Sequence, residues 1–232
     1  ITGIATAFAD SIPMVCITGQ VKSELIGSDV FQEADITGAV ESFVKYSYLI
    51  KRVEDIPRVF KEAFYIANSG RKGPVLIDIQ NATISRFKYP EEISLRTYKP
   101  TVKGHAVQIK KVIKELEKAK RPIICAGGGV HLSDAVEELR DFAHKYKIPV
   151  VSTMMGLGVM KTQDPMYFGM VGNNGKAYAN RAMNESDLLI MVGARVADRA
   201  ISQPDLITEN KILVHIDVDP AEIGKNVGPT IP

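Results

Sequence analysis

The sequence predicts an α/β protein with parallel sheets: a Rossmann-like, nucleotide-binding middle domain preceded by part of another α/β domain. Three observations lead there. Short apolar runs alternate with amphipathic helical stretches along most of the chain, the pattern of a mostly parallel sheet with helices on both faces. The alternation breaks over residues 80–103, where Pro90, Pro100 and mixed charge show no period. That is where an interdomain linker belongs. Three apolar runs in the second half end in glycine or aspartate, and open parallel sheets bind ligands outside such strand ends.

Taken in order, Ile4, Ala7 and Phe8 open the chain at helical spacing. Residues 14–18 follow a proline, close on Gly19 and read as a buried strand. Asp35 can cap a helix to about residue 43. Residues 46–50 read as a second strand. Asp55 precedes Ile56-Pro57, with proline in the first helical turn. That helix runs to residue 68 with Gly70 as its stop, and residues 75–79 form a third strand. After the linker, residues 105–118 place Val107, Val112, Ile113 and Leu116 on one helical face. Residues 122–126 form a strand, and Ser133 caps a helix to residue 146. A strand at 150–153 leads into a long loop, 154–172. A helix at 175–184, strands at 188–192 and 211–216, and a short helix from Pro220 complete the series.

Composition narrows the function. A chain of 232 residues, 45% hydrophobic and 24% charged, buries a core without staples. A net charge of +2 and no basic stripe argue against nucleic-acid binding. The densest basic run, Lys110, Lys111, Lys114, Lys118, Lys120 and Arg121, alternates with apolar residues and reads as a solvated helix face. No stretch approaches the ~18 apolar residues that span a bilayer, and no charged n-region marks a signal peptide. Cys16 and Cys125 sit in apolar runs and read as buried, reduced and structural, which suits a cytoplasmic setting. His105, His131, His144 and His215 lack metal-ligand spacing, so no metal site is expected within the chain.

Three strand ends can carry chemistry. Gly127-Gly128-Gly129 lets backbone approach a ligand or simply makes a tight turn. Leu132 stands where the last glycine of G-x-G-x-x-G would be. Gly193-Ala194-Arg195, with Asp198-Arg199 behind it, offers guanidinium forks to a pyrophosphate, unless Asp198 pairs with them. Asp217-Val218-Asp219-Pro220 offers a carboxylate to ribose hydroxyls or an adenine amine. Asp219 reads as the cap of the helix starting at Pro220 and Asp217 as the ligand candidate. Together these ends favour a dinucleotide. The residues supply no Ser–His–Asp elbow and no P-loop lysine.

The segments ITGIATAFADSIPMVCITGQV (1–21), IGSDVFQEADITGAVESFVKYSYLIK (26–51) and GRKGPVLIDI (70–79) resemble the acetolactate synthase (acetohydroxyacid synthase) large-subunit family. AGGGV, TMMGLG, FGMVG, VGARVADR and HIDVDPAEIGK follow in that family's order, so the resemblance covers essentially the whole chain. It implies a thiamine-diphosphate enzyme with a structural FAD that does no net redox. Residues 1–85 would be the later part of the pyrimidine-binding domain, 86–103 a linker, and 104–232 the FAD-binding-type middle domain. The activating glutamate would precede this segment and the Mg²⁺–diphosphate motif would follow it, so the segment alone would lack the full reaction.

The resemblance further implies that Phe31 and Gln32 line the catalytic pocket and that Lys45 lies near the substrate channel. FAD would be contacted by Arg71, Gly127, Gly128, Gly129, Thr153, Met154, Gly169, Met170, Gly193, Arg195, Arg199 and Asp217. The implied substrates are small 2-oxo acids. The implied partners are further subunits, in a homodimer or tetramer, and a regulatory small subunit, with no nucleic acid and no membrane. The chain departs from the family in three places: Val171 where biosynthetic members read His in GMHG, Val196-Ala197 within an RFDDR-type motif, and Lys22 for a common proline. These leave open a related carboligase or decarboxylase. The residues alone also allow a non-catalytic nucleotide-binding module.

Overall fold

The structure is a computed structural model that describes residues 1–21, 25–28, 30, 33–80, 89–92, 95, 98–197, 199–201 and 207–232. The chain divides into two compact units, Ile1–Thr101 and Val102–Pro232.

The first unit contains α1 (Thr2–Ala9), β1 (Met14–Gln20), α2 (Ile36–Val40), β2 (Tyr46–Ile50), α3 (Ile56–Asn68) and β3 (Pro74–Gln80). Asp35 caps α2 as expected: its carboxylate accepts the Gly38 N–H at 2.8 Å. The helix is shorter than expected, since a 3₁₀ turn, Glu41–Phe43, replaces its second half. The strands form a parallel sheet in the order β1-β3-β2. α3 buries Val59, Ala63, Ile66 and Ala67, positions three and four apart that make one face. They form a core with Val75 and Ile77 of β3 and Ile50 of β2.

The second unit contains α4 (Ala106–Lys118), β4 (Pro122–Ala126), α5 (Gly128–Leu132), α6 (Val136–Tyr146), β5 (Val150–Ser152), β6 (Tyr167–Met170), α7 (Ala177–Glu185), β7 (Leu188–Val192) and β8 (Ile212–Ile216). Its five strands are parallel, in the order β6-β5-β4-β7-β8. Successive residues of β4 feed opposite cores. Ile123 and Cys125 join Leu189, Met191, Leu213, Ala179 and Met183, while Ile124 and Ala126 join Val150, Ile190, Leu139 and Ala143. A sheet buried on both faces explains why its strands read as unbroken apolar runs.

Several expectations are corrected. Ser133 does not start α6; its hydroxyl donates to the Gly129 carbonyl at 2.8 Å and closes α5, and α6 begins at Val136. The long loop contains the edge strand β6 and a 3₁₀ turn, Met154–Gly156. The chain after Pro220 makes turns and no helix, although Asp219 accepts the Ala221 N–H at 2.9 Å as a cap would. Cys125 is buried and its thiol is pushed up to about 12 by desolvation, whereas Cys16 is only half-buried. Among the described residues, no helix is long and apolar enough to cross a membrane.

Candidate functional site

Strand order locates the site in the second unit. The chain runs β4, β5, β6 to one edge and returns through β7 and β8 on the other side of β4. The order reverses between β4 and β7, and outside the carboxyl ends of such a pair a doubly wound sheet opens its ligand crevice.

The floor of that crevice is two turns bonded to each other. Gly127 N–H donates to the Val192 carbonyl and Gly129 N–H to the Gly193 carbonyl, both at 2.9 Å. A Cβ on Gly127 would stand 2.2 Å from the Gly193 oxygen, and one on Gly129 would stand 2.6 Å from the Gly193 Cα. Gly193 itself has φ +56. The first partner of these glycines is thus the facing turn rather than a ligand. The sequence pattern singled out no role for Gly156, yet a Cβ there would meet the Ala126 oxygen at 2.2 Å.

Around this floor the strand ends present a mixed rim. Arg195 is half-buried; its carbonyl accepts the Ala197 N–H at 3.0 Å, while its guanidinium makes no hydrogen bond or ion pair with the described residues. Arg199 is exposed, and its carbonyl accepts the Asn173 N–H at 3.1 Å. Asp198, the acid that the sequence offered these arginines, lies outside the described residues. Asp217 follows β8 and accepts the Asp219 N–H at 2.9 Å through one carboxylate oxygen. Thr153 follows β5 and donates its N–H to the Ala126 carbonyl at 3.0 Å. Met154 is 62% exposed, with Met155, Leu157, Ile216 and Val218 also exposed. Gly169, at φ +95, and Met170 end β6. Every expected cofactor residue of this unit therefore lies at a strand's carboxyl end. An unpaired guanidinium, a carboxylate and exposed apolar side chains can hold, in turn, a pyrophosphate, a ribose hydroxyl and a flat ring.

The remaining expected residues belong to the first unit. Arg71 precedes β3; its Nε–H donates to the Ser11 hydroxyl at 3.0 Å, and its guanidinium lies 5.6 Å from the Phe8 ring centroid. Lys45 donates to the Ile66 and Ser69 carbonyls at the C-terminal end of α3. Burial lowers its pKa to about 8. Phe31, Gln32 and Lys22 lie outside the described residues.

A buried polar group of the first unit carried no sequence signal. Asp78 accepts from the Thr18 hydroxyl at 2.8 Å and the Gln20 amide at 3.3 Å. Gln20 also donates to the Ala34 carbonyl at 2.7 Å and accepts the Val21 N–H at 2.8 Å. One side chain thus ties the two ends of segment 21–34. Among the described residues, no three His, Cys, Asp or Glu side chains are grouped to hold a metal ion.

Two departures from the family pattern fall behind the rim. Val171 and Val196 are both buried in the core that Met191 and Leu213 share.

Comparison with known proteins gives the same neighbourhood. Residues 109–232 match the family profile described as "Thiamine pyrophosphate enzyme, central domain". Over its full length the chain is 47% identical to the acetolactate synthase large subunit of Haemophilus influenzae, covering 41% of that protein. It is 46% identical to the probable acetolactate synthase large subunit of Methanocaldococcus jannaschii, covering 40%. It is 40% identical to the acetolactate synthase isozyme 3 large subunit of Escherichia coli, covering 41%. The chain spans about two fifths of the length of these curated relatives.

Proposed function

The chain belongs to the thiamine pyrophosphate enzyme family, and from that premise we propose that it is part of an acetolactate synthase. The parent enzyme condenses two pyruvates, or pyruvate and 2-oxobutyrate, with loss of one CO₂. The products are 2-acetolactate or 2-aceto-2-hydroxybutyrate, on the route to branched-chain amino acids. The observation that carries this reading is full-length identity of 47% to an acetolactate synthase large subunit.

FAD is the proposed resident of the second unit's rim, and its role there is structural. Arg195 binds the pyrophosphate, with Arg199 beside it. Asp217 accepts from a ribose hydroxyl. The Met154 side chain and its apolar neighbours cover ring surface and exclude water. Thiamine diphosphate, held with Mg²⁺, supplies the electron sink for decarboxylation when bound. On this chain, Phe31 and Gln32 line the space for the 2-oxo acid, and Gln32 orients it through its amide. Lys45, already committed to two carbonyls, supports the pocket wall from α3. The parent assembles as a homodimer or tetramer with a regulatory small subunit and works in the cytoplasm.

The test is an assay of the full-length parent with thiamine diphosphate, Mg²⁺, FAD and pyruvate. Acetolactate and CO₂ formed in equal amounts support the proposal. Acetaldehyde and CO₂ without acetolactate would make the parent a decarboxylase instead, and ADP binding without flavin binding would favour the nucleotide-binding module.

A further inference from the structure

We propose that His215 is a positioning residue, a buried donor that holds the turn after β7 in the form that presents Arg195 to an anionic ligand. His215 lies in β8 opposite Met191, and only 1% of it is exposed. Its Nε2 stands 2.9 Å from the Ala194 carbonyl oxygen. A carbonyl can only accept, so Nε2 carries the proton and Nδ1 is the bare acceptor. That Nδ1 is buried and finds no partner among the described residues. A buried imidazole left half-satisfied in a strand opposite Met191 is a poor choice for packing alone, because a buried polar atom without a partner is destabilising.

The compensation lies at Ala194. This residue is buried, and its carbonyl would otherwise lose the donor His215 supplies. The neighbouring carbonyls of the same turn are held from other directions. Gly193 oxygen accepts the Gly129 N–H at 2.9 Å, and Val196 oxygen accepts the Asn226 side-chain amide at 2.5 Å. Arg195 sits between these anchored peptides, its own carbonyl accepting the Ala197 N–H at 3.0 Å and its side chain without a partner among the described residues. Its backbone is fixed from several sides while its guanidinium stays uncommitted. A cation held this way binds an anion with little ordering left to do.

The experiment compares His215→Gln with His215→Asn in the full chain. A glutamine amide reaches the Nε2 position and can still donate to Ala194; an asparagine amide reaches only the Nδ1 position. Hydrogen exchange is read at the Gly129 and Gly193 amides, which bond the Gly193 and Ile216 carbonyls, and FAD affinity is read by titration. His215→Gln should stay within about threefold of the unsubstituted chain in both readouts, while His215→Asn should exchange about tenfold faster or more and bind FAD correspondingly weaker. Equal behaviour of the two variants, folded or not, overturns the proposal. The affinity arm rests on the flavin reading; the exchange arm does not. An exchange split in a chain that takes up no flavin would uphold the positioning role and remove FAD from this site.

Discussion

The Arg195 guanidinium makes no hydrogen bond or ion pair with the described residues, so its loss should weaken binding and leave folding alone. Arg195→Ala is expected to reduce FAD affinity by roughly 10–100-fold, the scale of a lost charge-assisted contact. The melting temperature should stay put, and a matched drop would mean the side chain serves the fold. Gly129→Ala should do the reverse. Its added Cβ meets backbone at 2.6 Å, so the β7 turn must shift, at about 1–3 kcal/mol in urea unfolding. Asp187 gives a pH-dependent case. Its carboxylate accepts the Lys120 and Arg121 N–H groups at 2.7 and 2.9 Å. Burial raises its pKa, but these bonds outweigh burial and hold the carboxyl below its usual range. A lowered folded value means that the stabilisation is complete above the unfolded pKa of about 3.9 and drains as pH falls further. Asp187→Ala should therefore cost about 1–2 kcal/mol at neutral pH, with the gap to the unsubstituted chain closing in acid. An unchanged gap at low pH would contradict this. At this scale the sequence showed which residues cluster but not why. Asp217 and Arg195 could be picked out by their place after apolar runs. Gly156, His215 and Asp78 could not, because their partners lie far along the chain.

Elements were legible where local pattern and tertiary demand agree. β2, β4 and β7 fall where their apolar runs place them, and α3 starts at Ile56 with proline in its first turn. α5 and β6 were hidden. α5 is a five-residue helix opening on two glycines, which no helix propensity favours. β6 is a four-residue edge strand interrupted by Gly169, and its pairing with β5 carries a register shift between Val150 and Val151. Both exist because neighbouring elements hold them. Lys45 tests a similar dependence in α3. It reaches two carbonyls at that helix's C-terminal end, where a cation is favoured. Lys45→Met is expected to lower stability by about 1 kcal/mol, measured by thermal unfolding of the chain. An unchanged transition with lower turnover in the parent would assign Lys45 to substrate handling instead.

At the scale of the molecule, the two units have separate cores. The second also owns the switch point and all the strand ends that form the rim. We propose that this rim holds FAD. It is tested most directly by the visible absorbance spectrum of the chain after incubation with FAD and desalting, run beside Arg195→Ala. A retained flavin band with shifted maxima, lost in the variant while its folded state persists, is the predicted result. A folded chain that keeps no flavin, or a variant that keeps as much as the unsubstituted chain, would contradict it.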